Sequence, residues 1–346
     1  MSIVRRHGSL ALWLAAVARV VHAGAPLETG ASFFATGWQP VIMAGSSNVA
    51  PADSVADRVD PNTAYSIYSG VGSIRVNAGS STYIGSGTPI SPTHILTAAH
   101  VFDIDGDGAS DVGPSSVTFY LNREGSPSHT FSASAIFLHP AYNGHATNVN
   151  DDIAILQLAS PLPAGVPTYD IVRTSLVYQT KISLVGYGQS GYGDIGYSVG
   201  PSFFVKRTGT NYLDGIWSWD DEETNPVFEV WYGDFDAPDG SVGFSGGASV
   251  GNRLETTLGG GDSGGPGFLW EAGTPYVVSV NTFVFSYSTN SYPRFGSGLA
   301  GIHVPAYSNW IDSITGIPEP GIAALAVIGA VTVGVVRHRA AWRRRR

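Results

Sequence analysis

Between Leu258 and Phe268 the chain reads LGGGDSGGPGF, a single Asp-Ser pair with glycine on both flanks. Glycine has no Cβ, so it reaches backbone angles closed to other residues and lets a ligand approach the main chain. A bare turn of this kind exposes its amides, which can hold the charge that develops when a hydroxyl attacks a carbonyl. Ser263 supplies the hydroxyl, but it is a poor nucleophile until a base takes its proton. Two upstream segments offer the missing groups. SGTPISPTHILTAAHVF contains Thr97-Ala98-Ala99-His100, and FLHPAYNGHATNVNDDIAILQL carries Asp151-Asp152 ahead of an alternating apolar run. An imidazole could accept the serine proton if a carboxylate on its far side fixed the tautomer and stabilised the imidazolium.

Each residue also has a plain structural reading. Ser263 alone is a turn serine, His100 a core or capping histidine, and the two aspartates polar residues at a strand start. The order His, Asp, Ser with these flanks is what sets them apart. Gly261-Asp262-Ser263-Gly264-Gly265 also satisfies the G-x-S-x-G elbow of α/β-hydrolases. That fold needs an acid and then a histidine after the serine. Here His303 precedes Asp312, and PGFLW…TPYVVSVNTFVF reads as strands rather than a helix, so this reading is rejected.

The elements that must position these groups follow from composition. The 346 residues are 43% hydrophobic and 13% charged, with 44 glycines and 21 prolines. Dense turn punctuation between short β-branched runs predicts an all-β globular chain with a sizeable core. No cysteine is present, which excludes a disulfide framework, a thiol nucleophile and a cysteine-type zinc site. Residues 24–318 hold nine basic and 26 acidic residues, a balance of about −17, and this argues against nucleic acid as a partner.

The segments TAAH, HPAY, DDIAIL and GDSGGP resemble the trypsin/chymotrypsin-like serine peptidase family over residues 65–312. The resemblance implies an all-β fold of two six-stranded antiparallel barrels, near 65–160 and 169–305, crossing at Pro161-Leu162-Pro163. It also implies a short C-terminal helix within Ala306–Ile314. Carried over position by position, His100 is the base, Asp152 the orienting acid and Ser263 the nucleophile. Gly261 shares the oxyanion hole with the Ser263 amide, and Asp262 is buried behind the serine. The chemistry requires no cofactor, and the partner is a protein or peptide substrate. Asp151 is read as the solvated member of its pair, and His94, His139 and His303 as structural.

In the same alignment Thr257 falls at the pocket floor, Ser279 supports the triad acid, and Asn281 narrows the pocket. A neutral floor argues against Arg or Lys specificity and for a small or medium apolar residue at the cleavage site. The stretch from Gly188 to Gly260 is longer than the family pattern. No basic site before an Ile-Val-type terminus stands out, which puts activation by terminus insertion beside Asp262 in doubt. Arg58 before Val59-Asp60 is a candidate for such a site.

DIDGDGASD, from Asp103 to Asp111, matches the start of an EF-hand-type loop, with Pro114 in place of the last ligand. Ca²⁺ on Asp103, Asp105, Asp107 and Asp111 would order the loop that follows His100. A solvated acidic turn is the equal alternative.

The two ends read as addresses. Residues 1–23, with Arg5 and Arg6 before an apolar stretch, predict an export signal. Residues 24–64 would then be an extension or propeptide. Residues 317–346 join Pro-Glu-Pro, an apolar span and a terminal arginine cluster, and resemble the PEP-CTERM sorting signal. That resemblance implies an exosortase-type enzyme as partner, transient membrane anchoring, and surface display in a Gram-negative bacterium. A plain membrane anchor is the alternative. A catalytically silent protease-like module for adhesion or matrix binding is the alternative to the enzyme.

Overall fold

The computed structural model describes residues 42–63, 65–123, 125–145, 149–217, 229–240, 243, 248–286 and 294–316. The expected export and sorting signals, 1–23 and 317–346, lie outside these residues, as do residues 218–228 of the long stretch between Gly188 and Gly260. Among the described residues no helix is long and apolar enough to cross a membrane.

Period-two burial builds the first half. In β1 (Gly72–Ala78), Ile74 and Val76 are fully buried while Arg75 and Asn77, each one residue further on, reach solvent. In β4 (Val117–Arg123) the inward residues are Val117, Phe119 and Leu121. Alternation of this kind fixes which face of a strand meets the core. With β2 (Ser81–Pro89), β3 (His94–Thr97), β5 (Ser126–Leu138) and β6 (Ala154–Leu158), these strands close an antiparallel barrel in the order β1-β2-β3-β6-β5-β4. This is the first barrel the sequence led us to expect.

The second half comprises β7 (Lys181–Gly186), β8 (Ser190–Tyr192), β9 (Gly196–Val199), β10 (Arg207–Tyr212), β11 (Gly215–Trp217), β12 (Val230–Asp234), β13 (Pro266–Glu271), β14 (Thr274–Ser286) and β15 (Ser297–His303). Seven of these form one antiparallel sheet ordered β10-β7-β13-β14-β15-β12-β11, and β8 and β9 pair separately. This differs from the expected six-stranded second barrel. The two ends of the strand order, β10 and β11, are joined in the chain by Leu213 and Asp214 alone. Leu213 is fully buried, and the Asp214 amide bonds the Tyr232 carbonyl at 2.9 Å. One bent segment thus pairs with β7 before the bend and with β12 after it. A bend is how a strand changes partners at a sheet corner.

The described part of the expected 24–64 extension is built into this sheet. Ile42, Met43 and Ala44 are fully buried. The Ser190 hydroxyl donates to Ile42 and the Thr256 hydroxyl to Met43, each at 2.7 Å. Arg58, the candidate activation site, is only 3% exposed. Its guanidinium grips Asp53 and donates to the carbonyls of Leu254 and Glu255, each at 2.8 Å. A protease needs an extended, accessible bond, so the structure removes Arg58 as an open cleavage site. A second unit begins at Ser308 and contains the short helix α1 (Ser308–Thr315), in the stretch where a C-terminal helix was expected.

Candidate active site

Register brings the first two candidate residues together. Thr97 of β3 pairs with Ala154 of β6. In an antiparallel ladder, residues just past one partner lie near residues just before the other, so His100 meets Asp152. The 3-10 turn Ala99–Val101 carries His100, which is 7% exposed. Asp152 uses both oxygens on this one residue: Oδ1 accepts the His100 amide at 2.9 Å, and Oδ2 lies 2.6 Å from Nδ1. Burial pushes the Asp152 carboxyl up, but the His100 charge and hydrogen bonds outweigh it, and the net direction is down. A neutral imidazole that donates from Nδ1 keeps Nε2 as an acceptor. His100 Nε2 is buried without a hydrogen-bond partner among the described residues.

Ser263 is 4% exposed and sits in a turn that only glycine permits. Gly261 has φ +104° and Gly264 φ +81°. A Cβ on Gly264 would collide with the Thr97 hydroxyl and the Ser86 carbonyl, and would lie 3.0 Å from the Ala98 amide. The Ser263 turn is therefore seated against the segment that leads into His100. Ser263 Oγ makes one long contact, donating to the Thr282 carbonyl at 3.5 Å. No hydrogen bond joins it to His100. Catalytic hydrogen bonds are often long or misaligned without substrate.

The amides of the turn divide into two sets. Those of Asp262, Gly264 and Gly265 bond the carbonyls of Gly259, Asn281 and Asp262 at 3.0, 2.8 and 2.9 Å. Those of Gly261 and Ser263 have no acceptor among the described residues. Two strands hold the turn from opposite sides. From β2, the Ser86 hydroxyl donates to the Gly261 carbonyl at 2.9 Å and the Ser86 amide to the Ser263 carbonyl at 2.7 Å. From β14, Asn281 exchanges two 2.8 Å backbone bonds with Gly264 and Gly265. Behind the turn, Asp262 is fully buried, as expected. Burial raises its carboxyl to about 6, against the lowering effect of the Gly259 and Gly188 amides and the Arg207 charge.

The depression beside Ser263 is lined by Tyr197, Leu258, Gly259, Gly260, Thr282, Phe283 and Val284, with no charged residue. None of the three expected pocket residues lines it. Thr257 is fully buried one residue before the lining begins. Ser279 accepts the Trp231 indole N–H and pairs with His303. Asn281 braces the Ser263 turn. The Ser263 turn bonds Asn281 rather than Ser279, and the wall accordingly lies three residues beyond the expected SVN, at Thr282 to Val284. Sequence reasoning missed Ser86, Tyr197, Thr282, Phe283 and Val284. Nothing local marks them, because each acts through the strand it sits on.

Asp151, expected to be solvated, is 4% exposed. Its amide donates to the Tyr307 hydroxyl at 3.0 Å, and its Oδ1 lies 3.0 Å from His139 Nδ1. It occupies a structural pocket beside the candidate triad.

In the acidic loop, ligand atoms of Asp103, Asp105 and Asp111 lie within 4.8 Å of one another, and Asp107 is not in this group. Ca²⁺ takes six to eight oxygen ligands. Asp103 fits that role poorly, because Oδ1 already accepts the amides of Gly106 and Asp107, and Oδ2 the Gly108 amide and the Tyr142 hydroxyl.

Residues 62–199 match the family model described as Trypsin, a stretch that includes His100 and Asp152 and ends before Ser263. Over that stretch the chain is similar to a trypsin-like serine protease domain. Over 116 residues it is 33% identical to the inactive CLIP domain-containing serine protease A3 of Aedes aegypti. That match takes in 32% of this chain and spans about a quarter of the relative's length, 24%.

Proposed function

We propose that this protein is an exported serine endopeptidase that cleaves peptide bonds through an acyl-enzyme. The observation that carries the reading is at the Ser263 turn: among the described residues the amides of Gly261 and Ser263 have no acceptor, while those of Asp262, Gly264 and Gly265 are bonded. In this reading His100 Nε2 takes the Ser263 proton as Oγ attacks the carbonyl. The two amides receive the oxyanion, and Asp152 stabilises the imidazolium. His100 then gives the proton to the leaving amine, and water reverses the sequence on the ester. An apolar pocket without charge supports a small or medium apolar residue at the cleavage site. The export signal and the exosortase-type sorting tail belong to the same proposal, on the strength of residues 1–23 and 317–346 alone.

A second reading, a catalytically silent surface module, has its own support. Ser263 Oγ faces Thr282 rather than His100, and a relative carries the word inactive in its name. A fluorophosphonate probe separates the two. The enzyme labels at Ser263, and S263A and H100A abolish labelling while keeping the wild-type melting temperature. A folded wild type that stays unlabelled while hydrolysing no peptide establishes the silent module.

A further inference from the structure

Two wholly buried charges lie behind the candidate nucleophile. Asp262 accepts one amide on each oxygen, Gly188 on Oδ1 at 2.7 Å and Gly259 on Oδ2 at 2.8 Å. The second charge is Arg207 of β10. It is fully buried, and its one hydrogen bond runs from Nη1 to the Val205 carbonyl at 3.4 Å. Nε and Nη2 have no partner, and Arg207 makes no direct ion pair among the described residues. A buried guanidinium with two idle donors is strongly destabilising unless a charge offsets it.

The sheet register says which charge. Arg207 stands directly opposite Gly186 of β7. Residues opposite each other in a ladder project to the same face. A Cβ on Gly186 would fall on Oδ1 of Asp262, so that face of the strand pair is where the Asp262 carboxylate sits. Burial lowers the Arg207 guanidinium to about 8, and the one charge that opposes this is Asp262. In turn Arg207 is the charged group whose field favours the ionised form of Asp262.

Among the described residues of the N-terminal segment, 42–63, the one cation is Arg58, and it is bound to Asp53. Val59 forms an antiparallel bridge with Arg207 itself. The bond before it is pinned on both sides, by the Thr208 amide on the Arg58 carbonyl and the Asp60 amide on the Lys206 carbonyl, each at 2.9 Å. A new terminus at Val59 would have to leave this edge first.

We propose that Arg207 is the internal countercharge of Asp262, a positioning residue that holds the Gly259–Ser263 turn ready in the uncut chain. The chain then works without a new N-terminus. This rests on the reading of Ser263 as nucleophile.

The test uses full-length protein whose intact N-terminus is verified by mass. Fluorophosphonate labelling is followed from pH 5 to 8 in wild type, R207M and R207K. The uncut wild type is expected to label. R207M, which keeps bulk and loses charge, should label at least 10-fold slower, with its acidic limb moved to higher pH. R207K, which keeps the charge, should restore the limb. A packing role would give the reverse order, R207M near wild type and R207K impaired, and overturns the proposal. If R207M does not fold, the R207K limb and the uncut wild type decide it. Wild type that is inert until cut between Arg58 and Val59 overturns the inference and leaves the peptidase reading intact. Wild type inert in both forms overturns both.

Discussion

The amide of Ser86, on the second strand of the closed barrel, donates to the carbonyl of Ser263 at 2.7 Å. Its hydroxyl reaches the carbonyl of Gly261 at 2.9 Å and accepts the Tyr187 amide at 3.1 Å. One serine of the first half of the fold therefore sets the turn that carries the candidate nucleophile of the second half. S86A removes the hydroxyl and strands two buried groups, at a cost of about 1–3 kcal/mol for each. We expect a lower melting temperature and a labelling rate reduced at least 10-fold. A labelling rate equal to wild type would show that β14 alone suffices to hold the turn.

The two adjacent aspartates should separate cleanly. D152N removes the acceptor that fixes the His100 tautomer, and a loss of about 10⁴ in kcat is the precedent for such a change. D151N changes the carboxylate that meets His139 and Asn150 instead, so it should lower stability by about 1–3 kcal/mol and leave kcat within a few fold. Denaturant melts and steady-state kinetics on both variants check this. The assignment fails if D151N is the slow enzyme.

Val284 closes one side of the depression beside Ser263. V284G should enlarge it and move preference in a peptide library from small apolar toward larger side chains. A single methyl-sized change is worth roughly 1–3 kcal/mol in such a pocket, or 10- to 200-fold in kcat/KM. A wild-type enzyme that prefers cleavage after Arg or Lys would falsify the apolar pocket.

Acid should silence the site before it unfolds the chain. Asp262 has its carboxyl raised to about 6 by burial, above the value near 4 of an unfolded chain. In that window the folded state holds the proton more tightly, so acidification from about 6 to 4 adds stability through this group. Glu255, raised by burial to about 8, has the same sign. Asp152 has the opposite sign: its folded carboxyl is lowered, so its contribution persists until pH falls through that lower value. Protonation of Asp262 meanwhile replaces an acceptor of two amides with a carboxylic acid. Labelling should therefore fall between pH 7 and 5 while the melting temperature holds. Parallel loss of both would remove Asp262 as the cause.

By itself the sequence determined the chemistry offered and the barrel that presents half of it. The order of His100, Asp152 and Ser263 was legible because each sits in a short motif whose neighbours serve the same turn or strand. The first barrel was expected from the resemblance alone, and the structure shows why the chain sustains it: β1 and β4 alternate buried and exposed residues. Tertiary structure alone decided the pocket wall, the buried place of Asp151 and the role of residues 42–60. Which residue of β14 bonds the Ser263 turn is invisible in the string of letters, yet the choice of Asn281 puts Thr282 and Val284, not Ser279 and Asn281, at the wall. Asp151 and Arg58 read as surface charges, because charge favours water unless folding supplies partners. The Asp151 carboxylate meets His139, and Arg58 adds to the nearby Asp53 the carbonyls of Asn252, Leu254 and Glu255, which only folding brings into reach.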